Sequence, residues 1–159
     1  MNIKKIKTLL SIILLITLLS CGFKIVDQNY LRDYKIAEIN ISGDDRISFL
    51  LRNKLRSSKK SNENLKKIKI EINIDKSKSI KEKNVQNQIT KYLIKIKADV
   101  NYNVENDVEG NFTIYETGEF SVVSRHTQTL ENEKNILKIL TLNIEEKIID
   151  NLRISLNDI

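Results

Sequence analysis

From residue 67 to residue 75 the chain reads Lys-Ile-Lys-Ile-Glu-Ile-Asn-Ile-Asp, so Ile68, Ile70, Ile72 and Ile74 alternate without a break with charged or amide side chains. Successive side chains of a β-strand point to opposite faces, whereas a helix face needs apolar residues three or four apart. This stretch can bury its isoleucines only as a strand with one dry and one wet face. The same period returns in Tyr92, Ile94, Ile96, Ala98, Val100, Tyr102 and Val104. Extended at ~3.3 Å per residue, residues 92–104 would reach about 43 Å, long for a small domain. Strands with one isoleucine-rich face need a covering layer, and helices are the natural one.

The remaining segments supply it. Tyr34 to Ile41 is β-branched and partly alternating, a first strand, and Ser42-Gly43-Asp44 punctuates it with Asp44 as a helix N-cap. Ile47, Leu50, Leu51 and Leu55 recur at helical spacing over Asp45 to Ser57, before a polar stretch from Ser57 to Asn64. Lys76 to Gln88 is a Lys-rich connection able to extend the strands on either side. After a turn over Glu105 to Gly110, Asn111 to Ser124 returns as a fourth strand with Phe112, Ile114, Phe120 and Val122 on one face, and Gly118 is expected to mark a bulge or bend. A polar link at Arg125 to Gln128 leads to a helix over Thr129 to Leu156, carrying Leu137, Leu140, Ile144, Ile148 and Leu152. The expected fold is α+β, order β-α-β-β-β-α: a two-layer sandwich whose four-stranded sheet has both helices packed on one face. Residues 34–159 read as one domain without internal repeats.

The first twenty residues are of another kind. Lys4, Lys5 and Lys7 precede the uncharged run Thr8 to Ser20, which holds Leu9, Leu10, Ile12, Ile13, Leu14, Leu15, Ile16, Leu18 and Leu19. That run is well short of the ~20 residues a helix needs to cross a bilayer and fits the apolar centre of a secretion signal. It ends Leu18-Leu19-Ser20-Cys21-Gly22, resembling the bacterial lipobox in which the Cys sulfur receives a diacylglyceryl group. The chain's single Cys stands where lipidation requires it. A thioether there also removes the hazard of a free thiol in a secreted protein. Each buried methylene contributes about 0.8 kcal/mol, so several acyl chains anchor durably where one would not. Residues 1–20 are thus read as a lipoprotein signal peptide and 21–33 as a lipidated tether. Gly22, rather than Asp, after the Cys resembles the pattern sorted to the outer membrane.

Charge and composition then exclude several chemistries. Lys and Arg number 27 against 21 Asp and Glu, but removal of the signal leaves 24 against 21, a weakly basic +3. Lys67, Lys69, Lys91, Lys95 and Lys97 point away from the expected core and could form one basic sheet face suited to phosphorylated or acidic ligands, or simply be solvated. Aromatic stacking platforms for nucleic acid are not evident, and no nucleic-acid partner is expected. One Cys and one His assemble no metal cluster, so neither metal nor cofactor is expected. His126 beside Ser121 and Ser124 is the remaining hydrolase candidate. It comes without a nucleophile elbow or a phosphate loop, and the reading is non-enzymatic, with no catalytic residue.

The sequence of parts resembles the LptE family of lipopolysaccharide-assembly lipoproteins, of the RlpB-like type. The features that carry this are Cys21-Gly22-Phe23, a strand, a helix with Arg46-x3-Leu50-x-Arg52-x2-Leu55, a Lys-rich connection into Gln88-Ile89-Thr90-Lys91-Tyr92, a long strand, a returning strand and a final helix. The resemblance spans nearly the whole chain through order and length of elements. It implies a lipoprotein at the outer membrane, facing the periplasm, that plugs the β-barrel of LptD and contacts lipopolysaccharide on its way to the outer leaflet. The family's basic contact residues lie before the long strand and near the start of the last helix, where the nearest positions here are Lys81, Lys83 and Lys134. The matching is loose: Lys83-Asn84-Val85 stands where some family members carry Arg in the loop, Thr129 as well as Lys134 can align with the helix position, and the chain has no Pro. An alternative is a lipid-anchored accessory of another periplasmic transport or outer-membrane assembly system. In either case Cys21→Ser should move the protein from the membrane pellet to the soluble periplasmic fraction on cell fractionation, and an unchanged membrane fraction would refute the anchor.

Overall fold

The computed structural model describes residues 34–57, 65–105 and 108–157. The signal segment, Cys21, the tether to residue 33 and residues 58–64 lie outside the described residues. The elements are β1 (Tyr34–Gly43), α1 (Asp45–Ser57), β2 (Lys66–Lys83), β3 (Ile89–Val104), β4 (Glu109–Ser121) and α2 (His126–Asn157). They form one mixed sheet in the order β1-β2-β3-β4. β1 runs parallel to β2, while β2–β3 and β3–β4 are antiparallel. A parallel neighbour cannot be reached by a tight turn, and α1 occupies that crossover.

Register turns the sequence periods into a single apolar surface. Ile36 lies beside Ile68, Ile70 opposite Tyr102, and Ile72 opposite Val100, which in turn faces Phe112. Both helices cover this inner face, α1 through Ile47, Leu51 and Leu55, and α2 through Leu137, Leu140, Ile144, Ile148 and Leu152, all buried. Leu50, expected on the same helical face, is only half-buried. The outer face of β2 carries exposed Lys69, Glu71, Asn73 and Asp75.

Most of the Lys-rich connection is strand. β2 continues to Lys83 and β3 begins at Ile89, so the turn is confined to residues 84–88. Asn84 builds that turn: its Oδ1 accepts from the N–H groups of Gln86 at 3.0 Å and Gln88 at 2.9 Å, and Asn87 takes the left-handed conformation. Lys76 and Lys78 continue the even-numbered inner face of Ile68 to Ile74. Their stems can lie on the sheet while their ammonium groups reach carboxylates at the helix N-termini. Lys76 pairs with Asp44 before α1, and Lys78 Nζ is 2.7 Å from Glu133 in the first turns of α2.

Two glycines have distinct reasons. Gly43 ends β1 at φ +101°, and a Cβ there would lie 1.9 Å from the Ile74 carbonyl oxygen. Gly118 is not a bulge, because the β3–β4 register runs through it unbroken. It is the place where α2 comes close, since a Cβ would stand 2.7 Å from Ile136 Cγ1. The strand also ends earlier and the helix starts earlier than the periodicity suggests, at Ser121 and His126. The Thr129 hydroxyl lies 3.0 Å from the Val123 amide nitrogen and 3.2 Å from its carbonyl oxygen, holding the short link against the helix.

Gly118→Val should therefore destabilise the domain by about 1–3 kcal/mol through overpacking. Adding Ile136→Ala should recover part of that loss in urea unfolding; full additivity of the two changes would refute the contact. Asp44 caps α1, its Oδ1 accepting from Ile47 N–H at 3.0 Å, so Asp44→Ala should cost about 1 kcal/mol. Burial pushes the Asp44 carboxyl up, but the hydrogen bonds from Lys76 and the helix N–H groups, with the Lys76 charge, outweigh it and hold the group below its ordinary value. A depressed carboxyl contributes its stabilisation above the unfolded-state value of about 3.9 and loses it as pH falls through the lower folded value. The stability gap between the wild type and Asp44→Asn should accordingly narrow as pH is lowered through that window, and a gap that widens would contradict the assignment.

Candidate functional site

The three lysines singled out in the sequence, Lys81, Lys83 and Lys134, are assembled by the fold at one end of the molecule. β2 delivers Lys81 and Lys83 to the hairpin turn. The register places Ser121, the last residue of β4, beside Lys91, and α2 starts five residues later, bringing Lys134 to the same end. The fold does not bring them to one point. Lys81 pairs with Glu119, which shares the outer face with Tyr115 and Thr117, whereas Lys134 is on the helix-covered side. Lys83 Nζ donates to Asn87 Oδ1 at 2.9 Å within the turn. The Lys81 ammonium holds the Glu119 carboxyl below its ordinary value, chiefly through the hydrogen bond and then through its charge.

Lys134 lines a hollow of about 580 Å³ between the N-terminal ends of the two helices, with Arg46, Leu130, Glu131, Glu133 and Asn135. Both signs of charge face it, so it suits a ligand with donors and acceptors rather than a simple anion. Beside it lies the cluster that the sequence reading missed. The Lys78 ammonium sits 4.5 Å from the Tyr92 ring centroid and 4.9 Å from that of Phe120, while bonding Glu133. The two rings stack with centroids 5.5 Å apart. A lysine between two aromatic faces and a carboxylate ties β2, β3, β4 and α2 together beneath the hollow. The signal for it was the continuation of the even-numbered alternation through Lys76 and Lys78, obscured because lysine occupies positions that isoleucine held before.

The proposed basic sheet face does not form. Lys67 pairs with Glu105 at 3.3 Å, Lys69 with Glu38 at 3.0 Å, Lys91 with Glu82 at 2.9 Å and Lys97 with Asp99 at 2.7 Å. Hydrogen bonding to these carboxylates raises the pKa values of Lys69, Lys91 and Lys97. Lys95 stands exposed between Ser77 and Thr117. Strand-by-strand alternation revealed the lysines on this face, but the carboxylates that answer them come partly from β1 and from beyond the strand ends. The outcome is a polar surface of mixed sign. His126 opens α2 as an exposed residue, and among the described residues no hydrogen bond joins it to Ser121 or Ser124, both also exposed.

The arrangement of strands and helices has clear counterparts. Rare lipoprotein B from Shewanella oneidensis superposes with a TM-score of 0.57 at 11% identity, covering 76% of this chain and 97% of that one. A putative lipoprotein from Caulobacter crescentus CB15 superposes with a TM-score of 0.56 at 10% identity, over 82% of this chain and 95% of that one. Uncharacterized lipoprotein B from Nitrosomonas europaea gives 0.56 at 13% identity, over 86% and 93%. No protein-family model matches the sequence, and no curated protein matches it. At these identities the likeness is one of fold: the chain shares the two-layer architecture of rare lipoprotein B and these other lipoproteins over nearly their whole length.

Proposed function

We propose that this chain is a non-enzymatic lipoprotein of the LptE type, anchored through Cys21 in the outer membrane and facing the periplasm. In this reading it plugs an LptD-like β-barrel and assists the assembly of lipopolysaccharide at the outer membrane. The observation that carries the reading is a conjunction: a sequence with a lipobox at Cys21 folds, over most of its length, like lipoproteins whose chains it covers by 93% to 97%. The outer sheet face adds support. A water-filled barrel lumen is polar, and a plug inside it needs a surface of amides and paired charges rather than an apolar one. Lys81, Lys83 and Lys134 at one end would meet the phosphate groups of lipopolysaccharide as point charges. The alternative, a lipid-anchored accessory of another periplasmic transport or outer-membrane assembly system, shares anchor and fold and differs in the partner.

Partner identity therefore decides. The lipidated protein, extracted from native membranes in mild detergent, should bring down a large outer-membrane barrel in stoichiometric amount on mass spectrometry. Recovery of an inner-membrane complex, or of no barrel, would overturn the plug. In the same preparation Lys83→Glu with Lys134→Glu should lower the lipopolysaccharide retained several-fold while leaving the barrel bound. Equal retention would remove these lysines from the contact.

A further inference from the structure

Around the N-terminal ends of the helices, opposite charges meet. Lys76 bonds Asp44, and Lys78 bonds Glu133 at 2.7 Å. Arg46, Glu131 and Lys134 break that rule. All three are exposed and line the same hollow of about 580 Å³, yet none of their side chains forms a salt bridge or hydrogen bond among the described residues. Glu133 also lines the hollow, but Lys78 already occupies it. The uncommitted charges are therefore two cations and one carboxylate. They stay apart because drawing long exposed side chains into one geometry costs about as much as an exposed pair gains.

A ligand that satisfies all three must carry both signs. A simple anion would meet Arg46 and Lys134 but stand against Glu131, and a simple cation would have the reverse difficulty. Glu131 and Lys134 are three apart on α2 and so share one helical face, while Arg46, the second residue of α1, belongs to the other helix. The guanidinium fork matches the oxygens of a phosphate, with the Lys134 ammonium as a point charge beside it. One negative phosphodiester then meets the two cations, and the carboxylate is left to accept hydrogen bonds from an ammonium. Leu130, 51% exposed on the same hollow, supplies an apolar contact for carbon atoms next to the phosphate.

We propose that this hollow binds a phosphoethanolamine group, with its phosphodiester between Arg46 and Lys134 and its ammonium on Glu131. The headgroup of a bilayer phospholipid carries that chemistry, and so does a phosphoethanolamine substituent on a glycolipid. The inference rests on the reading of Cys21 as a membrane anchor and not on the barrel. The hollow is level with Lys78, about 40 Å along β2 from Lys66, where Tyr34 brings in the tether. Thirteen tether residues extend to about 43 Å at most strand-like spacing, so the anchor leaves the hollow within reach of headgroups. Lys134 is shared with the proposed lipopolysaccharide contact, whereas Glu131 belongs to this proposal alone.

The test uses the full lipidated chain in a sugar-based detergent free of phospholipid. Glycerophosphoethanolamine should shift the backbone amide resonances of Arg46 and of Leu130 to Asn135 in a saturable way. Glycerophosphocholine should bind at least about tenfold more weakly, because its methylated ammonium has no N–H to give Glu131. Glu131→Gln should make the two bind alike, and Arg46→Gln should weaken both about tenfold. Lys95→Gln, on the outer face, should change neither. Glycylglycine, equally zwitterionic but without phosphate, should not compete. Phosphatidylethanolamine and a phosphoethanolamine-bearing lipopolysaccharide, added to the same micelles, are then compared through the same amides, and the one that shifts them identifies the source. The proposal is overturned if glycerophosphoethanolamine gives no saturable shift, if the choline analogue or glycylglycine binds as well, if the preference survives Glu131→Gln, or if neither lipid moves these amides. Barrel recovery enters none of these readouts, so failure of the plug and failure of this site are seen separately.

Discussion

β2 is hydrogen-bonded on both sides, to β1 and to β3, and its isoleucines at 68, 70, 72 and 74 are at most 2% exposed. Everything else in the fold takes its position from that strand. A slip of one residue would send all four side chains to the solvent face, so the pairing register is set by the apolar pattern itself. β3 copies the period, β4 copies β3, and the helices settle over the face that results. Burial of this surface drives the assembly, because apolar area removed from water is the largest favourable contribution to folding.

Where the isoleucines give out, the same face is continued by charge. Lys76, Lys78 and Glu116 occupy inner positions that pattern alone would fill with apolar residues, and each is answered from a helix or its cap: Asp44, Glu133, and Lys147 with Asn143. A charge near a core is costly unless paired, and these pairs bind a specific strand position to a specific helix turn. Lys78 adds contact with two rings, so the pair also has an apolar side. The polar end of the sheet thereby specifies where α1 and α2 begin, while the apolar end holds them down.

The elements themselves were legible from the periods of Ile, Leu and Val, and the order β-α-β-β-β-α with both helices on one face follows from them. The boundaries that escaped were those where a polar residue keeps the conformation of an apolar stretch. Residues 76–83 are strand although none but Ile80 is apolar, because β3 is long enough to pair with them. Gly118 signals a bulge in sequence and a helix approach in space, since a missing Cβ serves either end equally well. Lysines 81, 83 and 134 were candidates only through the family resemblance, and their separation onto two faces could not be read from the chain at all.

The sequence by itself determined the strand and helix periods, the face each element buries, and the likeness of Leu18-Leu19-Ser20-Cys21 to a lipobox, because these depend on residues within a few positions of one another. Only the tertiary structure decided the partners of the charges. Lys69 could be assigned to the outer face from alternation alone, yet its pairing with Glu38 exists because β1 lies parallel to β2 in one register. The same holds for Lys78 and Glu133, 55 residues apart in the chain. A side chain's direction is a local property of the backbone, whereas the charge it meets belongs to whichever distant segment the burial of the isoleucines carries beside it.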